Sequence, residues 1–226
     1  KYYLGKLFKK IKKYKSSSQW LNYCVDTRKK YPILIKEMIN EKKYINSYFF
    51  VNTLSKLIKK HDSIITDMGF SFTTTHQALE VTGNQNFFTN SGHAPMGWGL
   101  PAAIGAFFSR KKSNSNVICL SGDGGFQMNV QELSTIMHHK IPMKIFIFNN
   151  EGYLTIKQTQ ILGFKGRIMG ADKKSGLSFP RYSELAKAHK ISYKKLVNHK
   201  NLKQKIRSVL NSPGSVICEL IMSPDE

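Results

Sequence analysis

The chain has 226 residues and a formal net charge of +21 at pH 7, and its hydrophobic content of 41% suits a soluble globular fold. No apolar run approaches the roughly 18 residues of a membrane span, and the Lys-rich start lacks the apolar segment of a signal peptide. Such a charge could serve nucleic acid or an anionic surface, but lysine is spread from end to end without an RNA- or DNA-binding signature, so nucleic-acid binding is not the expected function. Cys24, Cys119 and Cys218 are far apart and lack metal-ligand spacing. They fit free or buried thiols in a reducing compartment, the cytoplasm.

The first residue is Lys rather than Met, which leads us to expect a piece of a longer polypeptide. Residues 1–15 carry Leu4, Leu7, Phe8 and Ile11 at helical spacing between lysines. That stripe fits a surface helix packed on the next domain, or else a basic amphipathic helix on a membrane or acidic partner. Ser16, Ser17 and Ser18 should break it, and residues 20–32 read as a polar helix ending before Tyr31-Pro32. Residues 48–60 predict an amphipathic helix with Phe49, Leu54, Leu57 and Ile58 near one face, and residues 63–66 a short strand. Residues 67–71 are expected to be the loop at that strand's carboxyl end, with His76 nearby as a solvated histidine. In residues 90–105, NSGHAPMGWGLPAAIG, Gly92, Gly97 and Gly99 permit tight turns and close backbone approach. Pro101 suits the first turn of the small-residue helix that follows.

Residues 117–120 (VICL) predict a buried strand stopped by Ser121-Gly122. Asn129 to Glu132 reads as a capping box opening a helix with Val130, Leu133, Ile136 and Met137 on its apolar face. His138, His139 and Lys140 suit its last turn, and Pro142 stops it. Residues 144–149 (KIFIFN) are the next strand. Residues 164–179, rich in Gly and Lys with little periodicity, read as a mobile flap ahead of a helix from Tyr182 to His189, and residues 215–221 as a last buried strand. Strand-turn-helix-strand units build parallel sheets. The expected fold is therefore α/β, a doubly wound, mainly parallel sheet flanked by helices. Ligands of such sheets sit beyond the carboxyl ends of the strands, where Asp123 and Asn150 should meet. A carboxylate and a carboxamide are hard oxygen donors suited to Mg²⁺, and Gly122, Gly124 and Gly125 let the backbone approach a phosphate. A Mg²⁺-diphosphate site is the natural reading.

Gly122-Asp123-Gly124, then 24 intervening residues, then Asn149-Asn150 resembles the thiamin-diphosphate motif of thiamin-dependent decarboxylases and acetolactate synthases. The resemblance implies that Asp123, the Asn150 side chain and the Gly152 main-chain oxygen hold the metal, while Gly124 and Gly125 touch the diphosphate. The 90–105 segment resembles a second motif of the same family. There the Ala94 carbonyl and Met96 amide would bond the aminopyrimidine, and the Met96 side chain would be the wedge that bends the cofactor rather than a core gap-filler. Gly69 and Ser71 become candidates for diphosphate binding, although Phe70-Ser71 stands where acetolactate synthases usually carry Gln-His. Thr155, Ile156 and Thr159 replace the Met-Val pair and Trp of those enzymes on the substrate side, which implies a changed substrate. Residues 175–189 resemble acetolactate-synthase-like proteins, many of them in surface-polysaccharide pathways, more closely than the biosynthetic enzyme. Residues 1–45 resemble the tail of a preceding domain and its linker, and residues 46–226 the diphosphate-binding domain; the likeness runs from about residue 20 to the end.

In this family thiamin diphosphate adds through C2 to a 2-keto acid and then serves as electron sink for decarboxylation. The activating glutamate lies on a pyrimidine-binding domain, usually of another subunit of a homodimer or homotetramer. Among Glu80, Glu132 and Glu151 none fits that role, and Glu132 reads as a helix cap, so no catalytic residue is expected here and the isolated chain should catalyse nothing. FAD, if bound, would sit on domains outside this chain. Two alternatives stay open. One is the diphosphate-binding subunit of a split 2-keto acid decarboxylase, against which the linker-like residues 20–32 speak. The other is a non-catalytic relic of the fold that binds polyanions through its charge.

Overall fold

A computed structural model of the chain describes residues 1–11, 17–110 and 114–226. The end of the 1–15 stretch and Ser16 of the expected break lie outside the described residues. The chain divides into two compact units, residues 1–35 and residues 36–226. The first holds helices α1 (Tyr2–Ile11) and α2 (Ser18–Lys30). Ser17 caps α2, its Oγ accepting from the Trp20 N–H at 3.1 Å, and Leu4, Leu7, Phe8 and Ile11 are exposed on α1. No helix among the described residues is long and apolar enough to cross a membrane.

The second unit runs α3 (Lys36–Ile39), α4 (Ser47–Ser55), β1 (Ser63–Thr66), α5 (Phe70–Ala78), β2 (Asn86–Phe88), α6 (Gly99–Ser109), β3 (Val117–Gly122), α7 (Asp123–Met128), α8 (Glu132–His138), β4 (Met143–Asn149), α9 (Leu154–Gly163), α10 (Tyr182–Ala188), β5 (Ser192–Leu196), α11 (Leu202–Leu210) and β6 (Val216–Ile221). The six strands form one sheet in the order β2-β1-β3-β4-β6-β5, with every pair parallel. Both faces are covered, which is why the central strands are apolar at nearly every position. Ile118, Leu120, Phe146 and Phe148 pack under α4 and α11, whereas Cys119, Ile145, Ile147 and Ile217 pack under α6, α8 and α10. The chain steps from one side of β1 to the other between β2 and β3, so a crevice opens at the carboxyl ends of β1, β3 and β4.

Four local expectations change. Asn129 does not cap α8: its Nδ2 donates to the Gly97 carbonyl at 2.8 Å, and Glu132 accepts from Thr135 Oγ1 at 2.9 Å. With the capping box gone, Val130 precedes the helix, Met137 is exposed, and Leu133 and Ile136 alone carry its buried face. Helix α4 starts one residue after its cap Asn46 and ends at Ser55, so Phe50, Val51 and Leu54 face the sheet while Phe49 and Leu57 only flank it. The loop after β1 is shorter than expected, because α5 already begins at Phe70. Finally, the 164–179 segment contains a local turn that its lack of periodicity did not announce. Asp172 and Ser175 form a capping box around a turn at Lys173–Ser175, Ala171 is fully buried, and its carbonyl accepts the Tyr153 N–H at 2.8 Å.

Candidate cofactor-binding site

The crevice holds a cleft of about 200 Å³. Gly69 comes to it from the end of β1, Ala94 and Met96 from the segment ahead of α6, and Gly122 to Gly125 from the β3–α7 junction. Asn150, Gly152, Thr155 and Ile156 close it after β4. Of the residues singled out in the sequence, Ser71 and Thr159 stand apart. Ser71 is fully buried inside α5, where its hydroxyl donates to the Asp67 carbonyl at 3.4 Å. Thr159 is on the exposed side of α9, bonded to the Thr155 carbonyl.

Asp123 is the first residue of α7 and is 2% exposed. Its Oδ1 accepts the Gly124 N–H at 2.7 Å and its Oδ2 the Gly152 N–H at 3.1 Å. Burial outweighs these backbone donors and pushes its pKa up to about 7. Asn150 is 6% exposed, and its Oδ1 is buried with no donor. Two oxygen-bearing side chains therefore line one cleft, and an orphaned buried acceptor is uncommon enough to require a reason. Among the described residues no cluster of three or more His, Cys, Asp or Glu could hold a metal, which excludes a zinc-type cage there. One carboxylate, one carboxamide and main-chain oxygen instead fit a hard cation that keeps water and takes phosphate oxygens.

The glycines have unequal roles. Nothing lies within 4 Å of where a Gly122 Cβ would stand, so its backbone is open to a ligand. At Gly124 that position is filled by the Tyr153 ring, 1.9 Å away, so its missing side chain makes room for a neighbour in this chain. Gly97 combines φ +86° with a would-be Cβ only 2.9 Å from Met128 Cβ and Asn129 Nδ2, a conformation and a contact that only glycine meets without strain.

The residue that sequence reasoning passed over is Asp67. It is fully buried at the end of β1. Its Oδ1 accepts the Met68 N–H at 2.8 Å and the Gly97 N–H at 3.0 Å, and its Oδ2 accepts Ser121 Oγ at 2.8 Å. A Cβ on Gly99 would stand 2.8 Å from Asp67 Cβ, and one on Gly125 would stand 2.4 Å from Asp67 Oδ2. One carboxylate thus ties the β1 end, the Met96 segment and the Gly122–Gly125 turn together. A signal existed in the sequence, since an aspartate ending an apolar strand must find donors once buried. Its partners, though, lie 30 and 54 residues away.

Residues 67–220 match the family described as thiamine pyrophosphate enzyme, C-terminal TPP binding domain. The chain is similar to the acetolactate synthase large subunit of Cyanidium caldarium, 31% identical over 92% of this chain and 34% of that protein. It is 25% identical to the acetolactate synthase isozyme 1 large subunit of Escherichia coli (strain K12), over 92% of this chain and 36% of that protein. The isozyme 2 large subunit of the same organism is 35% identical over 72% of this chain and 28% of that protein. The chain thus spans about a third of the length of these relatives. The parallel sheet, the crevice at its switch point and these matches agree: the chain belongs to the thiamine pyrophosphate enzyme family, as a C-terminal TPP binding domain of the acetolactate synthase-like type.

Proposed function

We propose that this chain is the Mg²⁺- and diphosphate-binding part of an acetolactate synthase-like enzyme that decarboxylates a 2-keto acid and passes the acyl group to an acceptor. The observation that carries this reading is the buried, donor-free Asn150 Oδ1 in the same cleft as Asp123. Asp123, Asn150 and the Gly152 carbonyl would hold Mg²⁺, and the metal would anchor the diphosphate. The open backbone at Gly122, with Gly124 and Gly125 in the same cleft lining, would receive the phosphates. Thiamin diphosphate, when bound, supplies the electron sink for decarboxylation. The chain's own residues would orient and shield it. Met96, whose segment is held by the Gly97–Asp67 bonds, would support the ring system, and Gly69 and Ala94, which line the same cleft, would contact it as well. Thr155 and Ile156 line the open side and would select the substrate.

The activating glutamate would come from a pyrimidine-binding domain of the same or another subunit, in a homodimer or homotetramer, and any flavin would sit outside this chain. The test is Mn²⁺ binding in the presence of thiamin diphosphate, followed by electron paramagnetic resonance. Asp123→Ala and Asn150→Ala should each abolish saturable binding at micromolar Mn²⁺. Unaltered affinity in both variants would remove the metal assignment.

A further inference from the structure

We infer that Glu219 is a positioning residue for the metal site, acting through Asn149 to fix the turn that presents Asn150 and Gly152. This rests on the metal reading above. Glu219 stands in register with Ile147 of β4 and Lys195 of β5. Tyr193 precedes Lys195 by two residues and Asn149 follows Ile147 by two. With side chains alternating along each strand, Tyr193, Glu219 and Asn149 therefore share one face and step diagonally toward the carboxyl edge.

The three side chains are bonded in that order. The Tyr193 hydroxyl donates to Glu219 Oε2, and Asn149 Nδ2 donates to Glu219 Oε1 at 2.7 Å. The Asn149 amide is thereby oriented, leaving its Oδ1 to accept the Glu151 N–H at 3.1 Å. Glu151 has φ +60°, a left-handed conformation that a non-glycine residue keeps only when its surroundings hold it. The residues on either side of Glu151 are Asn150 and Gly152, and Gly152 donates to Asp123 Oδ2. A chain of hydrogen bonds thus runs from β5 to the metal turn.

Glu219 itself calls for an explanation. It is 6% exposed on a strand whose other buried residues are apolar, and it forms no ion pair among the described residues. Glu219 lines a second cleft, of about 410 Å³, with Asn149, Tyr193 and Lys195, and both of its carboxylate oxygens are taken by Asn149 and Tyr193 rather than by a cation. Holding Asn149 is the role its contacts describe. Outer partners of this kind orient the groups that touch a metal, and their removal costs about 10- to 100-fold in metal affinity.

The experiment measures the Mn²⁺ dissociation constant of the full chain with thiamin diphosphate, alongside its melting temperature. Glu219→Ala should raise that constant about tenfold or more. Glu219→Gln should recover affinity to within about threefold, since a carboxamide oxygen still accepts from Asn149 Nδ2 while Tyr193 can turn its hydroxyl. Asn149→Ala should match Glu219→Ala, and the double variant should be no worse than either single one, because both break one path. Additive losses in that cycle, or a lower melting temperature with unchanged Mn²⁺ affinity, would overturn the inference. Asp123→Ala separates the two levels. If it abolishes Mn²⁺ binding while Glu219→Ala binds as the parent does, only the Glu219 role falls; if it and Asn150→Ala both bind normally, the metal reading falls and takes this inference with it. Should Glu219→Ala fail to fold, Asn149→Ala alone carries the test, and an unchanged constant there also overturns it.

Discussion

Two buried aspartates end two neighbouring strands, and they are finished to different degrees. Asp67, after β1, has donors on both oxygens from Met68, Gly97 and Ser121. Asp123, at the end of β3, has two backbone donors and shares its cleft with the orphaned Asn150 Oδ1. Burial raises the pKa of both, so neither is comfortable as a bare anion. The first is completed by the fold; the second, with its neighbour, presents more acceptor than the fold supplies donor. A saturated buried carboxylate is a structural tie, whereas an unsaturated group of oxygens at a strand-end crevice is a place for a cation.

The two should therefore respond to different degrees to the same substitution. Asp67→Ala leaves the Met68 and Gly97 N–H groups without their acceptor, an expected loss of roughly 2 to 6 kcal/mol at about 1 to 3 kcal/mol for each, while the Ser121 hydroxyl can turn to the Gly122 carbonyl at 3.2 Å. Thermal unfolding of the metal-free chain should show a melting temperature lower by on the order of 10 °C. Asp123→Ala also strands two buried backbone donors, but it removes a carboxylate whose pKa burial pushes up to about 7, so the two effects oppose each other and the net loss of metal-free stability should be smaller than for Asp67→Ala. Equal losses from the two would show that both carboxylates are structural and would break the contrast.

Gly125→Ala attacks Asp67 without altering it. The new Cβ would lie 2.4 Å from Asp67 Oδ2, and overpacking of that kind costs about 1 to 3 kcal/mol. Combined with Asp67→Ala the clash disappears, so calorimetry should find the double variant less destabilised than the sum of the singles.

That dependence explains what could be read from residues alone. Strands β3, β4 and β6 were legible because a strand buried on both faces is apolar throughout, and that is a local pattern. The glycines and asparagines of the candidate site were legible for a similar reason: Gly122 to Gly124 and Asn149-Asn150 each sit directly after such a strand. Asp67 was not, since nothing within ten residues of it hints at Gly97 or Ser121. Asn129 misled for the same cause. Its local pattern fits a cap, but the Gly97 carbonyl, 32 residues away, takes its amide instead. The 164–179 segment has no periodicity to read, and its anchors are scattered bonds, from the Tyr153 N–H to the Ala171 carbonyl and between the Gln160 amide and the Met169 backbone. Ser71 was placed in a loop because the helix after β1 starts on Phe70 with no side-chain cap to announce it.

Asn150→Ala probes the unfinished side directly. Removing a buried acceptor that has no donor should leave metal-free stability unchanged or raise it by up to about 1 kcal/mol, as measured by urea unfolding. A loss above that range would mean that Asn150 already serves the fold, and the contrast with Asp67 would narrow.

His199 offers a third case, a polar contact that is complete only in one protonation state. Its Nε2 accepts the Asn46 N–H at 3.0 Å at the start of α4, and its Nδ1 donates to the Ile39 carbonyl at 3.2 Å, so the ring must be neutral. Burial lowers its pKa below the ordinary 6.5, against the opposing pull of Glu41. The nearby Glu226 is occupied by Asn46 and Ser47. With the folded pKa below the unfolded one, the contribution is fully present above pH 6.5 and is lost as pH falls through the lowered folded value. Unlike Asp67, whose donors persist across this range, His199 should therefore release Asn46 in mild acid. His199→Gln keeps an acceptor for Asn46 but cannot be protonated. Between pH 7 and pH 5 the parent should lose more stability than this variant, by a melting-temperature difference of about 2 °C or less for a ring that is only half-buried. A larger loss in the variant would mean that the imidazole is held as a cation, and that the α4 start depends on charge rather than on a neutral acceptor.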